Sequence, residues 1–143
     1  MKNQKGFTII ELIVVIAIIA VLASIVLINV TGYINKGKDA AIKGNMGSIL
    51  VNAADYFNTN SNYAASSGAA TGFCGDTKYT TPVTAITAAG GTVVQYCTTT
   101  TFCSCSTLKN STNTYCVDGT GYKNETATAC ASRCSATVTN CVN

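Results

Sequence analysis

Residues 7–28, Phe7 to Ile28, form an unbroken apolar run of 22 residues that carries a single charge, Glu11. At a helical rise of about 1.5 Å per residue the run spans roughly 33 Å, enough to cross a bilayer core of about 30 Å. It is apolar on every face, so it needs lipid or other protein around its whole circumference. Ahead of it, Met1 to Gly6 is polar and carries Lys2 and Lys5, which favours a cytoplasmic location for this end. The 48% of hydrophobic residues against 10% charged is therefore unevenly spread. Beyond Thr59 the chain is polar and rich in Thr, Ser, Ala and Asn, so one part suits lipid and the other water.

After Asn29 the pattern turns amphipathic. Ile34, Ala41, Ile42, Met46, Ile49, Leu50, Ala53 and Phe57 recur near helical spacing, with Lys36, Lys38, Asp39, Lys43 and Asp55 between them. Gly32, Gly37, Gly44 and Gly47 weaken this stretch but no proline interrupts it, so the pattern predicts one helix from Phe7 to Asn58. Asn58 to Asn62 and Ala64 to Gly72 read as loop. The Thr-, Val- and Tyr-rich runs Lys78–Val83, Gly91–Thr99 and Asn113–Asp118, separated by turn residues, predict short strands in a small antiparallel sheet.

Histidine is absent, which excludes Ser-His and Cys-His nucleophile pairs and imidazole-held metals. No acid pair or phosphate-binding glycine loop has the spacing that catalysis requires, so neither an enzyme nor a cofactor is expected. In the polar part Lys78, Lys109, Lys123 and Arg133 nearly balance Asp76, Asp118 and Glu125, which leaves no electrostatic footprint for specific nucleic-acid binding.

All eight cysteines, at 74, 97, 103, 105, 116, 130, 134 and 141, fall in this polar part. An even number behind an apolar N-terminal segment points to an oxidising destination, where disulfides replace the core that a small polar domain builds poorly. Cys103 and Cys105 are too close for an easy mutual bond, and spacing does not choose among the remaining pairings. A thiolate site at Cys97, Cys103 and Cys105 is the competing reading. It lacks the paired C-x2-C modules of zinc ribbons, so no metal is expected. Asn110-Ser111-Thr112 and Asn124-Glu125-Thr126 fit the N-glycosylation acceptor pattern, which makes Asn110 and Asn124 candidate modification sites.

Glu11 requires its own explanation. A charge inside a membrane-length segment costs about 2.5–3.5 kcal/mol near mid-bilayer and less near an end, and such residues are usually functional. The run Lys5-Gly6-Phe7-Thr8-Ile9-Ile10-Glu11-Leu12 resembles the N-terminal signature of the type IV pilin superfamily, which includes pilins and the pseudopilins of secretion and DNA-uptake machines. The likeness covers roughly Lys5 to Ile28 and loosely the helix beyond it.

The resemblance implies a prepilin peptidase that cleaves between Gly6 and Phe7, N-methylation of Phe7, and an assembly role for Glu11, paired with the N-terminal amine of a neighbouring subunit. It implies an α+β fold: a leader at 1–6, an apolar helix at 7–31 that anchors and then fills a filament core, an amphipathic helix at 32–58, and a disulfide-stapled head at 59–143. Its partners would be the inner membrane, the pilus assembly machinery and other copies in a helical homopolymer exposed on the cell surface for adhesion, motility or DNA uptake. By the same resemblance Cys141 would pair with Cys130 or Cys134. Where many pilins have a proline this chain has Ile28, which weakens the expectation of a locally melted core helix. Three alternatives stand beside this reading: a pseudopilin, a membrane-anchored adhesin that never polymerises, and a secreted cysteine-rich binding domain cut by an ordinary signal peptidase between Ala23 and Ser24.

Overall fold

The computed structural model describes residues 6–68 and 72–141, with backbone alone at 27–29. Helix α1 runs Ile9–Asn60. The chain divides into two compact units, 1–34 and 35–143.

In the first unit the large apolar side chains from Phe7 to Val26 are all exposed, Phe7 at 87% and Ile9 at 79%. This helix is long and apolar enough to cross a membrane, and none of its most apolar window is buried. Ser24 is polar but donates its hydroxyl to the Ala20 carbonyl at 2.8 Å, so it does not demand water.

In the second unit α1 buries Ile42, Met46, Ile49 and Ala53, with Leu50 and Tyr56 partly covered. The spacing of four, three and four residues keeps these on one face. The predicted stripe needs correction at its edges: Ala41 lies one residue, about 100°, off that face and is exposed, Phe57 continues the stripe one turn beyond Ala53 but is exposed near the helix end, and Ile34 belongs to the first unit and is exposed too. Phe57 still stacks on Tyr63, with ring centroids 4.8 Å apart.

The run Lys78–Val83 is not a strand. It lies inside helix α2, Thr77–Ala88. Asp76 overrides the β-propensity of the Thr and Val residues by capping the helix, its carboxylate accepting from the Lys78 amide at 2.8 Å. Tyr79, Pro82 and Ile86 then fall on one buried face. Before α2, Gly72–Gly75 forms a 3-10 turn that buries Phe73 and Cys74.

The sheet contains β1 Val93–Cys97, β2 Phe102–Thr107, β3 Thr114–Asp118 and β4 Lys123–Thr126, paired antiparallel in chain order. The Thr98–Thr101 run makes the first turn, because the Thr98 hydroxyl accepts from the Thr101 amide at 2.9 Å while the Thr98 amide donates to the Thr101 carbonyl at 2.8 Å. The sequence pattern predicts neither β2 nor β4. Phe-Cys-Ser-Cys-Ser-Thr shows no apolar alternation because both faces of β2 are buried.

Each face of β2 meets a different core. Phe102 packs edge-on against Phe73 at 5.4 Å, and Ser104 bonds the Tyr79 hydroxyl at 2.8 Å, on the side of the helices. Cys103 and Cys105 point the other way with Cys116, where they meet Cys130, Cys134 and Cys141 of the C-terminal segment. That segment has a 3-10 turn, Cys130–Ser132, and few apolar side chains to hold it in place. Disulfides do so instead.

The bridges are Cys74–Cys97, Cys103–Cys134, Cys105–Cys130 and Cys116–Cys141, with Cα separations of 6.0, 5.5, 5.3 and 5.7 Å. Cys141 therefore pairs with neither Cys130 nor Cys134. The segment crosses the sheet face instead of closing on itself, and the Cys141 amide donates to the Asp118 carboxylate on β3 at 2.8 Å, which delivers its sulfur to Cys116.

Candidate functional site

Gly6, Phe7 and Thr8 lie outside the helix and are exposed. A peptide bond free of helical hydrogen bonding can enter a protease cleft extended, and Gly6–Phe7 is such a bond. Met1 to Lys5, the rest of the expected leader, lie outside the described residues.

Thr8 and Glu11 then start α1 reciprocally. The Thr8 hydroxyl accepts from the Glu11 amide at 3.3 Å, and Glu11 Oε2 accepts from the Thr8 amide and from the Thr8 hydroxyl, both at 2.8 Å. The Leu12 amide donates to the Thr8 carbonyl at 3.3 Å, which closes the first helical turn. This is a capping box, in which two helix-end donors that would otherwise lack partners in an apolar setting are satisfied. Sequence reasoning singled out Glu11 but missed Thr8. The signal was present as Thr-x-x-Glu ahead of an apolar run.

The two oxygens of the Glu11 carboxylate differ. Oε2 is committed to Thr8, while among the described residues Oε1 accepts no hydrogen bond.

Residues 1–27 match the prokaryotic N-terminal methylation motif. This motif is the class III signal peptide of type IV pilins, and from Ile9 on it takes in the apolar start of the long helix α1. No curated protein and no solved structure matches the chain. The methylation motif covers both residues of the expected cleavage site, Gly6 and Phe7, together with Thr8 and Glu11 of the capping box. It supports a type IV pilin or pseudopilin-like protein, a class that is structural and not enzymatic, and it implies processing by a prepilin peptidase and passage through a pilus assembly system.

The other expected sites lie in the second unit. The sulfurs of Cys97, Cys103 and Cys105 do not form a joint thiolate set, because each is bonded to a different partner. The sulfurs that converge are those of Cys103, Cys116 and Cys134, within 4.8 Å of one another, and these too are held in bridges. Asn110 is exposed in the β2–β3 connection, where its amide donates to Asp39 at 3.1 Å. Asn124 sits on edge strand β4 with its side-chain amide donating to the Tyr122 hydroxyl at 3.0 Å.

Proposed function

We propose that this chain is the structural subunit of a type IV pilus, most simply its major pilin, which is cut between Gly6 and Phe7, N-methylated on Phe7, and polymerised into a helical filament on the cell surface. The observation that carries the reading is the methylation motif at residues 1–27, which places a carboxylate, Glu11, at the start of an apolar helix. Cleavage creates an α-amino group at Phe7. The Glu11 carboxylate, four residues further along, offers Oε1 to the corresponding amine of a neighbouring copy, so that each charge enters the apolar filament core neutralised by the other. The apolar helix serves first as membrane anchor and then, with other copies, as filament core.

The proposed organisation follows: a leader at 1–6, anchor and core at 7–31, an amphipathic helix at 32–58 and a surface head at 59–143. Disulfides in the head fit an extracellular destination. A pilus of this kind serves adhesion, motility or DNA uptake.

Intact and N-terminal mass spectrometry of unreduced protein from cells tests the processing. The expected species begins at Phe7, is one methyl group heavier than its sequence and lacks every thiol hydrogen. A chain that begins at Ser24 would replace this reading with a conventional secreted domain. Electron microscopy of surface filaments in a Glu11→Ala strain tests assembly: filaments should be lost while the processed subunit remains in the membrane, and normal filaments would remove the role of Glu11.

A further inference from the structure

Two of the four disulfides touch each other. Cys116 Sγ lies 3.8 Å from Cys103 Sγ and 3.9 Å from Cys134 Sγ, so the Cys116–Cys141 bridge packs directly on the Cys103–Cys134 bridge. All four residues are buried, at 2% exposure or less. The register explains the closeness. Cys105 stands opposite Cys116 in the β2–β3 ladder, which puts Cys103 on the diagonal of Cys116 on the same sheet face.

The same pocket contains an unusual cation. Arg133 is 1% exposed, its Nη2 donates to the Cys141 carbonyl at 2.5 Å, and its own carbonyl oxygen lies 3.1 Å from Cys103 Sγ. Among the described residues its Nε and Nη1 are buried without a hydrogen-bond partner. Donors in that state cost free energy, which an anionic acceptor would recover. Asp118, a carboxylate on this face, is already engaged by the Cys141 amide and by the amide and hydroxyl of Thr120. An acceptor that would suit the unpaired guanidinium donors is a thiolate.

We propose that Cys103, Cys116 and Cys134, with Arg133 beside them, form an internal thiol–disulfide exchange centre that lets the C-terminal segment change or correct its bridges. The chemistry needs one thiolate, which an external dithiol supplies by reducing the Cys116–Cys141 bridge with two electrons, or which remains where oxidation has not yet reached Cys141. The Cys116 thiolate attacks the sulfur of Cys134 or Cys103. A new S–S bond forms to that atom, the old Cys103–Cys134 bond breaks, and the other cysteine leaves as the thiolate. No net oxidation occurs. The sulfurs are already in van der Waals contact, and because Cys116 Sγ stands broadside to the Cys103–Cys134 bond the side chains must first rotate to bring it in line with that bond. An eight-cysteine head thereby resolves mispaired bridges in its most crowded region after the sheet has formed.

The test maps the odd thiol in full-length Cys141→Ser, isolated in detergent, labelled by an alkylating reagent after mild unfolding at acid pH and digested without reduction. Exchange predicts that the label divides between Cys116 and at least one of Cys103 and Cys134. Label on Cys116 alone overturns the proposal. Cys97→Ser is the control: Cys74 belongs to the other core, away from the three sulfurs, and should retain all of its label. Label spread equally widely in that variant would mean general scrambling and would also overturn the proposal. If Cys141→Ser does not fold, the wild-type protein treated with less than one equivalent of dithiothreitol, then acid-quenched, decides the matter. Peptides linked Cys103–Cys116 or Cys116–Cys134 support the centre, and their absence ends it.

Discussion

Asn52 of α1 donates its side-chain amide, at 2.7 Å, to the carbonyl oxygen of Lys78 in α2. That carbonyl is the one Pro82 leaves without its i+4 partner, because proline has no N–H. A helix that would lose a bond at Pro82 is completed from a neighbouring helix, and the two helices of the head are fixed in register by one side chain.

Replacing Asn52 with Ala should therefore destabilise the head by about 1 kcal/mol. In a Pro82→Ala background the same replacement should cost clearly less, since alanine at that position supplies the backbone amide that satisfies the Lys78 carbonyl within α2. A double-mutant cycle from denaturant melts of the detergent-solubilised chain measures the coupling. Equal losses in the two backgrounds would show that the two donors do not compete for the Lys78 carbonyl.

The core around Tyr79 sets the response to alkali. Tyr79 is buried, its hydroxyl bonded to Ser104, and burial pushes its phenol well above the ordinary value, while Tyr63 is raised by burial and then by the nearby charge of Asp118. For a group whose acid is held protonated in the folded state, the stabilisation is complete below the unfolded value near 10 and disappears as pH climbs past it. Melting temperature should hold to about pH 10 and fall above it, and Tyr79→Phe should flatten that fall. Phenolate absorbance in the near ultraviolet checks the same point, with Tyr79 ionising only as the head unfolds.

Much of this architecture is legible from residue order. The membrane-length run and the lone Glu11 require no tertiary information, and the spacing of Ile42, Met46, Ile49 and Ala53 identifies the packed face of α1. What fails does so for local reasons. In Lys78–Val83 a single cap, Asp76, outweighs several β-prone residues, and in β2 the cysteines and serines that fill two opposite cores carry no hydrophobic period. Disulfide partners depend on where the C-terminal segment crosses the sheet. That is decided by contacts such as Asp118 with the Cys141 amide, far apart in sequence. At the candidate site the acid stands out because a charge within a membrane-length apolar run is expensive, whereas Thr8 does not, because a threonine there is ordinary.

Acid should act through Glu125. Its carboxylate pairs with Lys43 at 2.6 Å and accepts from Asn113 at 3.0 Å, and Lys43 first, then Asn113, hold it below the usual range. The contribution is present above the unfolded value of about 4.5 and is lost as pH falls through the lower folded value. Both side chains are about one-third exposed, so solvent screens the pair and Glu125→Gln should cost below ~1 kcal/mol at neutral pH. The difference between wild type and Glu125→Gln should shrink in about 1 M salt and vanish in strong acid. A difference that persists in both would assign the effect to the Asn113 bond alone.

Glycines in the head divide sharply by what surrounds them. At Gly72 the backbone has φ +55° and an added Cβ would overlap the Tyr63 carbonyl and Ala64, on the segment whose carbonyl accepts the Phe73 amide at 2.7 Å. Gly44, inside α1, has open space where its Cβ would be and an ordinary helical backbone. Gly72→Ala should therefore cost on the order of 2 kcal/mol or more, through strain in the left-handed region and displacement of the turn that seats Phe73. Gly44→Ala should stabilise the isolated subunit by about 0.5–1 kcal/mol, as a helix interior with less freedom to lose. Opposite shifts in thermal melts of the two variants are the expected result. A Gly72→Ala protein that melts with wild type would mean that the turn yields without cost, and that the aromatic neighbours Tyr56, Tyr63, Tyr79 and Phe102 suffice to hold Phe73.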